Sequence, residues 1–510
     1  MRLLTLIIAC ATALSALAVP AMAAPKHGRH LSVARMAAVH PTRPVNAIVQ
    51  LSPKARPSVI AGRVRALHGR VIGKLPIIHG IAVRMTAKSA HRLARVHGVR
   101  HVSLNATMKA TATTVDSSAL AMTFDKTVGV EGMWNGGATG EGVGVAVVDS
   151  GVAGDLPDFR VSQTDTRSRV VANVVTNPNA TSAGDPYGHG THVAGIIAGN
   201  GGNRDAGDPL AGRYVGTAPD ANIVAVKAGD DDGHSTVLDV LTGLQFILSH
   251  KDEFNIRVVN LSLESGDAES YKVDPLDAGV EALWLNGIVV VAAAGNRGDA
   301  ADAPMYAPAN DPFVITVGAT DEAGTPSVDD DFLATFSSRG ITEDGFAKPD
   351  VLAPGAHMVS TLAPGSVFST ACPSCIVGGA YIRASGTSMA APVVSGIVAT
   401  LLQVHPDWTP NMVKGALKST ATPVAGSGAG EVNAVAASNA SGDQWTANQG
   451  LVPNVDSGFV LNPVDLTQSS WSQSSWSQSS WSQSSWTGIP DPSEGAHAAT
   501  LAPADATSGN

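Results

Sequence analysis

The first 115 residues contain no aspartate or glutamate, and Asp116 is the first acid in the chain. The same stretch holds 17 of the 33 Lys and Arg and eight of the 15 histidines. The rest of the chain therefore sets 16 basic residues against all 43 acids, a formal charge of −27. A basic arm of this kind can bind nucleic acid. It can equally dock on an acidic domain of its own chain, and the −27 supplies such a partner through complementary fields. No nucleic-acid partner is therefore expected. Cysteine is nearly absent: Cys10, Cys372 and Cys375 are all there is. The lack of a second pair excludes a four-cysteine metal site, and Cys372-x-x-Cys375 reads as a small structural disulfide. Beyond the extreme N-terminus no apolar run is long enough to suggest a membrane span, so none is expected in the mature chain.

What the N-terminus does contain is Arg2, an apolar stretch from Leu3 to Val19, and Ala21-Met22-Ala23. This order predicts a secretory leader over 1–23 and an exported, extracellular protein. A basic segment, 24–44, follows. Residues 45–104 then read as β-α-β-β-α-β, the pattern of a small α+β ferredoxin-like sandwich. The stretch 105–123 is rich in Ala, Thr and Ser, has no periodicity, and is expected to be an exposed linker suited to proteolysis. The resulting units are 45–109, a linker at 110–123, a main domain at 124–440 and a tail at 441–510. In the tail, Trp471, Trp476, Trp481 and Trp486 recur within a W-S-Q-S-S repeat. A period of five lines neither a helix face nor a strand face. A flexible Ser-rich tail is expected, with attachment to a cell envelope or other surface as the sharper alternative.

The main domain alternates. Strands are expected at Gly144–Val148, Asn222–Val226, Val258–Leu263, Ile288–Ala293 and Phe313–Val317. Helices are expected at His192–Gly199, Val237–Leu248, Asp277–Leu285, Ser388–Leu402 and Met412–Thr420. Short, fully apolar strands alternating with helices make an α/β fold, a parallel sheet with helices on both faces. Chemistry in such sheets collects at the carboxyl ends of the strands, where Asp149, Ser262 and Asn296 stand.

Ser388 lies in G-T-S-M-A-A-P at the start of an apolar helical run, so its hydroxyl sits beside free helical N–H groups. A serine is a weak nucleophile without a base and an orienting acid. His189, in G-H-G-T-H-V-A-G, can take and return its proton, and Asp149, in V-V-D-S-G-V, can hold the imidazole. Asn296, in A-A-G-N, and the Ser388 N–H can hold an oxyanion. Each residue has a plainer reading: a turn for Asp149 and Asn296, a helix cap for Ser388. His189 and His192 could be half of a metal site, but no third ligand stands at useful spacing. Four coincidences in one chain are less economical than one site, and Asp…His…Ser is a known triad order. The G-x-S-x-G elbow of lipases and esterases is excluded by Ala390 at its fifth position and by that order.

These four segments resemble the signatures of the subtilisin-like serine peptidases over roughly residues 124–440. The resemblance implies a secreted serine endopeptidase acting on proteins through an acyl-enzyme, with no cofactor for catalysis. The basic segment before it resembles the family's inhibitory propeptide, which implies an autoprocessed zymogen cut within the linker. Substrate would lie along Gly233 and along Ser262, Leu263 and Glu264, with Ala294 and Gly295 as the opposite wall of the S1 pocket. Glu264 departs from the family's usual glycine: a carboxylate there would narrow the pocket or favour a basic P1 residue, and its plainer reading is a side chain turned to solvent. The family's structural calcium would fall on Asp158 and Asn200. A catalytically silent, surface-binding homologue is the alternative function.

Overall fold

The computed structural model describes residues 32–110, 112–114, 122–205, 207–441 and 447–454. The expected leader, and all of the expected tail apart from 441 and 447–454, lie outside the described residues.

Runs such as Gly144–Asp149 and Val289–Ala293 are buried at every position. Stiff β-branched side chains favour the extended backbone there, and apolar groups on both faces require cover on both sides. From one edge, the parallel strands run Val170–Val175, Asn222–Lys227, Gly144–Asp149, Ile256–Leu261, Val289–Ala293, Ile315–Asp321, Val351–Pro354 and Gly430–Glu431. Helices Val237–His250 and Pro275–Leu285 pack together against the sheet, as do His189–Ala198 and Thr387–Val404. After Gly144–Asp149 the chain adds strands on one side, then returns to add Ile256–Leu261 on the other. That reversal opens a crevice at the carboxyl ends of these two neighbours. The edge strand Val170–Val175 was not legible, because Asn173 breaks its apolar run and Val174 alone of its residues is fully buried.

Helix Thr387–Val404 corrects one expectation. Among the described residues it is long and apolar enough to cross a membrane, but 89% of its 18 residues are buried inside the fold. A helix apolar on every side is what a core position demands.

The basic unit follows the β-α-β-β-α-β order, with an antiparallel sheet ordered Arg70–Leu75, Gly80–Thr86, Pro44–Leu51, Val99–Leu104. Strand alternation gives it two apolar faces. Ala47, Val49 and Leu51 pack into its own core with Ile60, Val83 and Leu93. Ile48, with Leu75, Ile77 and Ile78, joins the core of the main domain instead. Hydrogen bonds pin the seam, from Ile77 N to Gln245 Oε1 (2.6 Å) and from Gln50 Nε2 to Val273 O (3.1 Å). The opposite net charges thus meet across a seam of apolar contacts and hydrogen bonds.

The expected exposed linker is also corrected. Thr107–Ala110 is the middle strand of an antiparallel sheet, between Ser235–Thr236 and Leu263–Ser265, and Ala112–Thr114 pairs with Ser385 and Gly386. Backbone pairing to distant strands needs no side-chain periodicity, so composition alone could not reveal it. Residues 115–121 lie outside the described residues.

Candidate active site

Asp149 closes its strand, and its carbonyl accepts the N–H groups of Ala228 (2.9 Å) and Gly229 (3.0 Å). Its Oδ1 accepts from Ser150 N and meets His189 Nδ1, both at 2.7 Å. A carboxylate only accepts, so Nδ1 carries the proton and Nε2 is left with its lone pair. Nε2 is buried and has no hydrogen-bond partner among the described residues. His189 opens helix His189–Ala198 after Gly188, whose φ of 99° suits glycine alone. A Cβ at Gly188 would lie 2.6 Å from Ser366 Oγ, so that turn has no room for another residue.

Asp185 escaped the sequence reading. Its buried carboxylate accepts from Ser150 Oγ (2.8 Å), Gly188 N (2.8 Å), Thr191 N (2.7 Å) and Thr191 Oγ1 (2.6 Å). It thereby ties the turn after Asp149 to the first turn of the His189 helix. Burial raises its pKa, and these four hydrogen bonds oppose the rise. The available signal was an Asp four residues before His189, the capping chemistry of a helix start. The ring of Phe368 packs edge-on to His189 at 5.9 Å. His192 does not join a metal pair: its Nε2 meets Ile382 O at 3.0 Å, and burial lowers its pKa to about 4.

Ser388 stands in the first turn of the buried helix, with its Oγ donating to Ser262 O at 3.3 Å. Ser262 Oγ returns a hydrogen bond to Ser388 O (2.9 Å), and Asn260 links Ser262 Oγ to Ser395 Oγ, both at 2.9 Å. This chain locks the helix start onto the end of strand Ile256–Leu261. Asn296 Oδ1 accepts from Thr387 N (2.9 Å) and Thr387 Oγ1 (3.3 Å). The N–H donor fixes the amide's orientation, which leaves Nδ2 buried and without a partner among the described residues. The crevice therefore gathers a serine hydroxyl, an imidazole with an unprotonated nitrogen, the acid that orients it, and an amide donor with its hydrogen bond unspent.

The expected substrate walls lie beside it. Ser235 opposes Met108, Leu263 opposes Ala110, and Glu264 opposes Lys109. Gly233, at φ 81°, touches the Tyr187 ring so closely that a Cβ would lie 2.9 Å from it. Glu264 is neither an open carboxylate nor a solvated one: its Oε1 is 3.0 Å from Arg297 Nη2. Its charge is already met within the protein, which removes the basis for a basic P1 preference.

The Subtilase family profile (Peptidase_S8) matches residues 140–451. The chain belongs to that family. It is 37% identical over 350 residues to serine protease AprX of Bacillus subtilis, spanning 67% of this chain and 74% of AprX. Subtilisin E of Bacillus subtilis is 36% identical over 308 residues, 59% of this chain and 67% of its own. Fervidolysin of Fervidobacterium pennivorans, a keratinolytic enzyme related to subtilisin, matches with a TM-score of 0.61 and 27% identity, covering 78% of this chain and 61% of that one. This subtilase is a serine endopeptidase with a subtilisin-like fold, and its family needs no cofactor for catalysis.

The expected calcium ligands do not fit an ion. Asp158 Oδ2 takes Arg204 Nη1 at 2.7 Å, and its Oδ1 accepts from Tyr381 OH. Asn200 Oδ1 caps Gly202 N (3.1 Å), while Nδ2 turns to Asp220 Oδ1 (3.3 Å). A guanidinium stands where the cation would, and among the described residues no cluster of three or more His, Cys, Asp or Glu is placed to hold a metal. Cys372 and Cys375 are joined by a disulfide.

Proposed function

We propose that this subtilase is a secreted zymogen whose first substrate is its own segment at 110–112. The pairing of 107–110 and 112–114 with strands on either side of the crevice carries this reading. Ala110 lies opposite Leu263, next to Ser262, and Ala112 lies opposite Gly386, two residues before Ser388. Residue 111 is the one residue between the two pairings, so one of its two peptide bonds is the one cut.

In this reading Ser388 Oγ attacks the carbonyl while His189 Nε2 takes its proton. Asp149 stabilises the imidazolium that forms, and Asn296 Nδ2 and the Ser388 N–H receive the oxyanion. The imidazolium then protonates the leaving amine, and water hydrolyses the acyl-enzyme by the same steps. The basic unit remains as an inhibitor, held by its apolar seam, until it is degraded.

N-terminal sequencing of purified wild type and Ser388→Ala tests this. Wild type is expected to start at Thr111 or Ala112 and to label with a fluorophosphonate; Ser388→Ala is expected to stay uncut and unlabelled. Cleavage of Ser388→Ala at the same bond, or a wild-type start elsewhere, overturns the processing scheme. An unlabelled wild type would point to the silent, surface-binding alternative.

A further inference from the structure

We propose that the Glu264–Arg297 ion pair fills the S1 subsite and restricts this enzyme to small P1 side chains. The inference rests on the peptidase reading above, in which P1 supplies the attacked carbonyl and its side chain enters between 262–264 and 294–295. Glu264 bridges that gap. Its backbone belongs to the cleft strand Leu263–Ser265, yet its carboxylate presses on the opposite wall. A Cβ added to Gly295 would lie 2.6 Å from Glu264 Oε2.

The bridge is anchored at its far end. Arg297 Nη2 holds Glu264 Oε1 at 3.0 Å, and the guanidinium lies 3.8 Å from the centroid of the Tyr306 ring. Arg297 N donates to Ser338 Oγ (2.9 Å), and Tyr306 OH donates to Asp302 Oδ2 (2.7 Å). The Glu264 side chain is 11% exposed and that of Arg297 31%, so the carboxylate end of the pair is largely withdrawn from water. A Phe or Leu at P1 would have to push this pair aside and strand a desolvated carboxylate, which is costly. A Lys at P1 would have to displace Arg297 from a site that already stacks it on an aromatic ring. An Ala or Thr at P1 needs no displacement. The segment offered to the site agrees: Ala110 and Thr111, the two possible P1 residues, are both small.

The test is a series of peptides identical except for Ala, Leu, Phe or Lys at P1, cleaved by mature wild type, Glu264→Gly and Arg297→Ala. One methylene too many in a pocket already costs about 10- to 200-fold in kcat/KM. Wild type is therefore expected to favour Ala over Phe by about 100-fold or more. Glu264→Gly should shrink that ratio at least about tenfold by raising kcat/KM for Phe. Arg297→Ala leaves the carboxylate in place without its counter-charge and should raise cleavage after Lys. Wild type that cleaves after Phe as well as after Ala overturns the inference, as does an unchanged ratio in Glu264→Gly. Fluorophosphonate labelling separates the two levels: unlabelled wild type defeats the peptidase reading itself, whereas labelled wild type with a Phe preference defeats only this one. If Glu264→Gly fails to label, the wild-type ratio and the Arg297→Ala profile decide.

Discussion

Arg204→Ala should destabilise this subtilase heavily, and wild type should be indifferent to chelators. The Asp158 side chain is 2% exposed and Arg204 10%, at 2.7 Å. Arg204 is steered from its other side by Asp208, with Nε 2.8 Å from Oδ2. Truncating one partner of a buried pair strands the other charge and costs about 3–5 kcal/mol. Tyr381 OH still donates to Asp158 in the variant, so the lower end, about 3 kcal/mol, is the better figure. At about 2–4 °C per kcal/mol for domains of this size, the melting temperature should fall by roughly 6–12 °C. A second internal cation supports the same view: Lys414 Nζ donates to Pro312 O (2.7 Å), Phe313 O (3.3 Å) and Val314 O (2.9 Å). Carbonyls converging in this way are ligands that a metal would otherwise use. The assay is calorimetry at one fixed scan rate, because irreversible unfolding makes the midpoint rate-dependent. A Ser388→Ala background prevents self-digestion. EDTA should leave wild type unchanged, and Arg204→Met with Asp158→Asn should recover part of the loss, since no charge is then stranded. A melting temperature that falls with EDTA, or an Arg204→Ala shift below about 2 °C, would refute the reasoning.

Three further outcomes are expected. Asn296→Ala should lower kcat about 100- to 1,000-fold with KM nearly unchanged, a range established on subtilisin itself and carried here by family membership; an equal rise in KM would assign Asn296 to substrate binding instead. Glu431 is fully buried, and burial, with Asp331 nearby, pushes its pKa up to about 9 from 4.5. The folded state thus keeps a proton that the unfolded chain gives up above about pH 4.5, and stability drains as pH rises from there towards 9. Glu431→Gln should therefore melt higher than wild type at pH 8 and alike at pH 4, and a variant that melts lower at pH 8 would contradict the sign. The segment 447–454 straps the seam: Asn454 Nδ2 reaches Asp274 O (2.7 Å), its carbonyl accepts from Arg100, and Tyr271 OH reaches Val452 O (3.1 Å). A chain ending at residue 446 should release the cleaved basic unit faster than the full chain, measured by the lag before peptidase activity appears; an unchanged lag would deny the strap its role.

The residues that gather in the crevice were legible because each lies in a short motif at a strand end or a helix start. Asp149, His189, Asn296 and Ser388 could be picked out locally, and the alternation of strands and helices supplied the sheet that brings them together. What escaped the sequence reading depends on partners far along the chain. Strand Thr107–Ala110 shows no pattern because its partners are backbone at 235–236 and 263–265. Asp158 carries the family's look of a metal ligand, but its partner Arg204 stands 46 residues on. Glu264 left a narrowed pocket, a basic P1 preference and a solvated side chain all open, because its partner Arg297 lies 33 residues away.

The two misread carboxylates obey one rule. A charge placed in a buried position persists only with a counter-charge or, as at Asp185, a full set of hydrogen-bond donors, since an unsatisfied one costs more than folding can spare. Glutamate at the cleft position where glycine is usual meets this need with Arg297. Arg297 directly follows Asn296, and its backbone N–H is fixed on Ser338 Oγ. Aspartate at 158, in the turn Pro157–Phe159, is answered from the loop 200–213, which contains both Arg204 and Arg213. Of these only Arg204 is buried, with Asp158 on one side of its guanidinium and Asp208 on the other. Departures from a family pattern are thus most informative in pairs: the odd carboxylate and the arginine that answers it together turn an expected metal site into an ion pair and, in the inference proposed above, an open pocket into a narrow one.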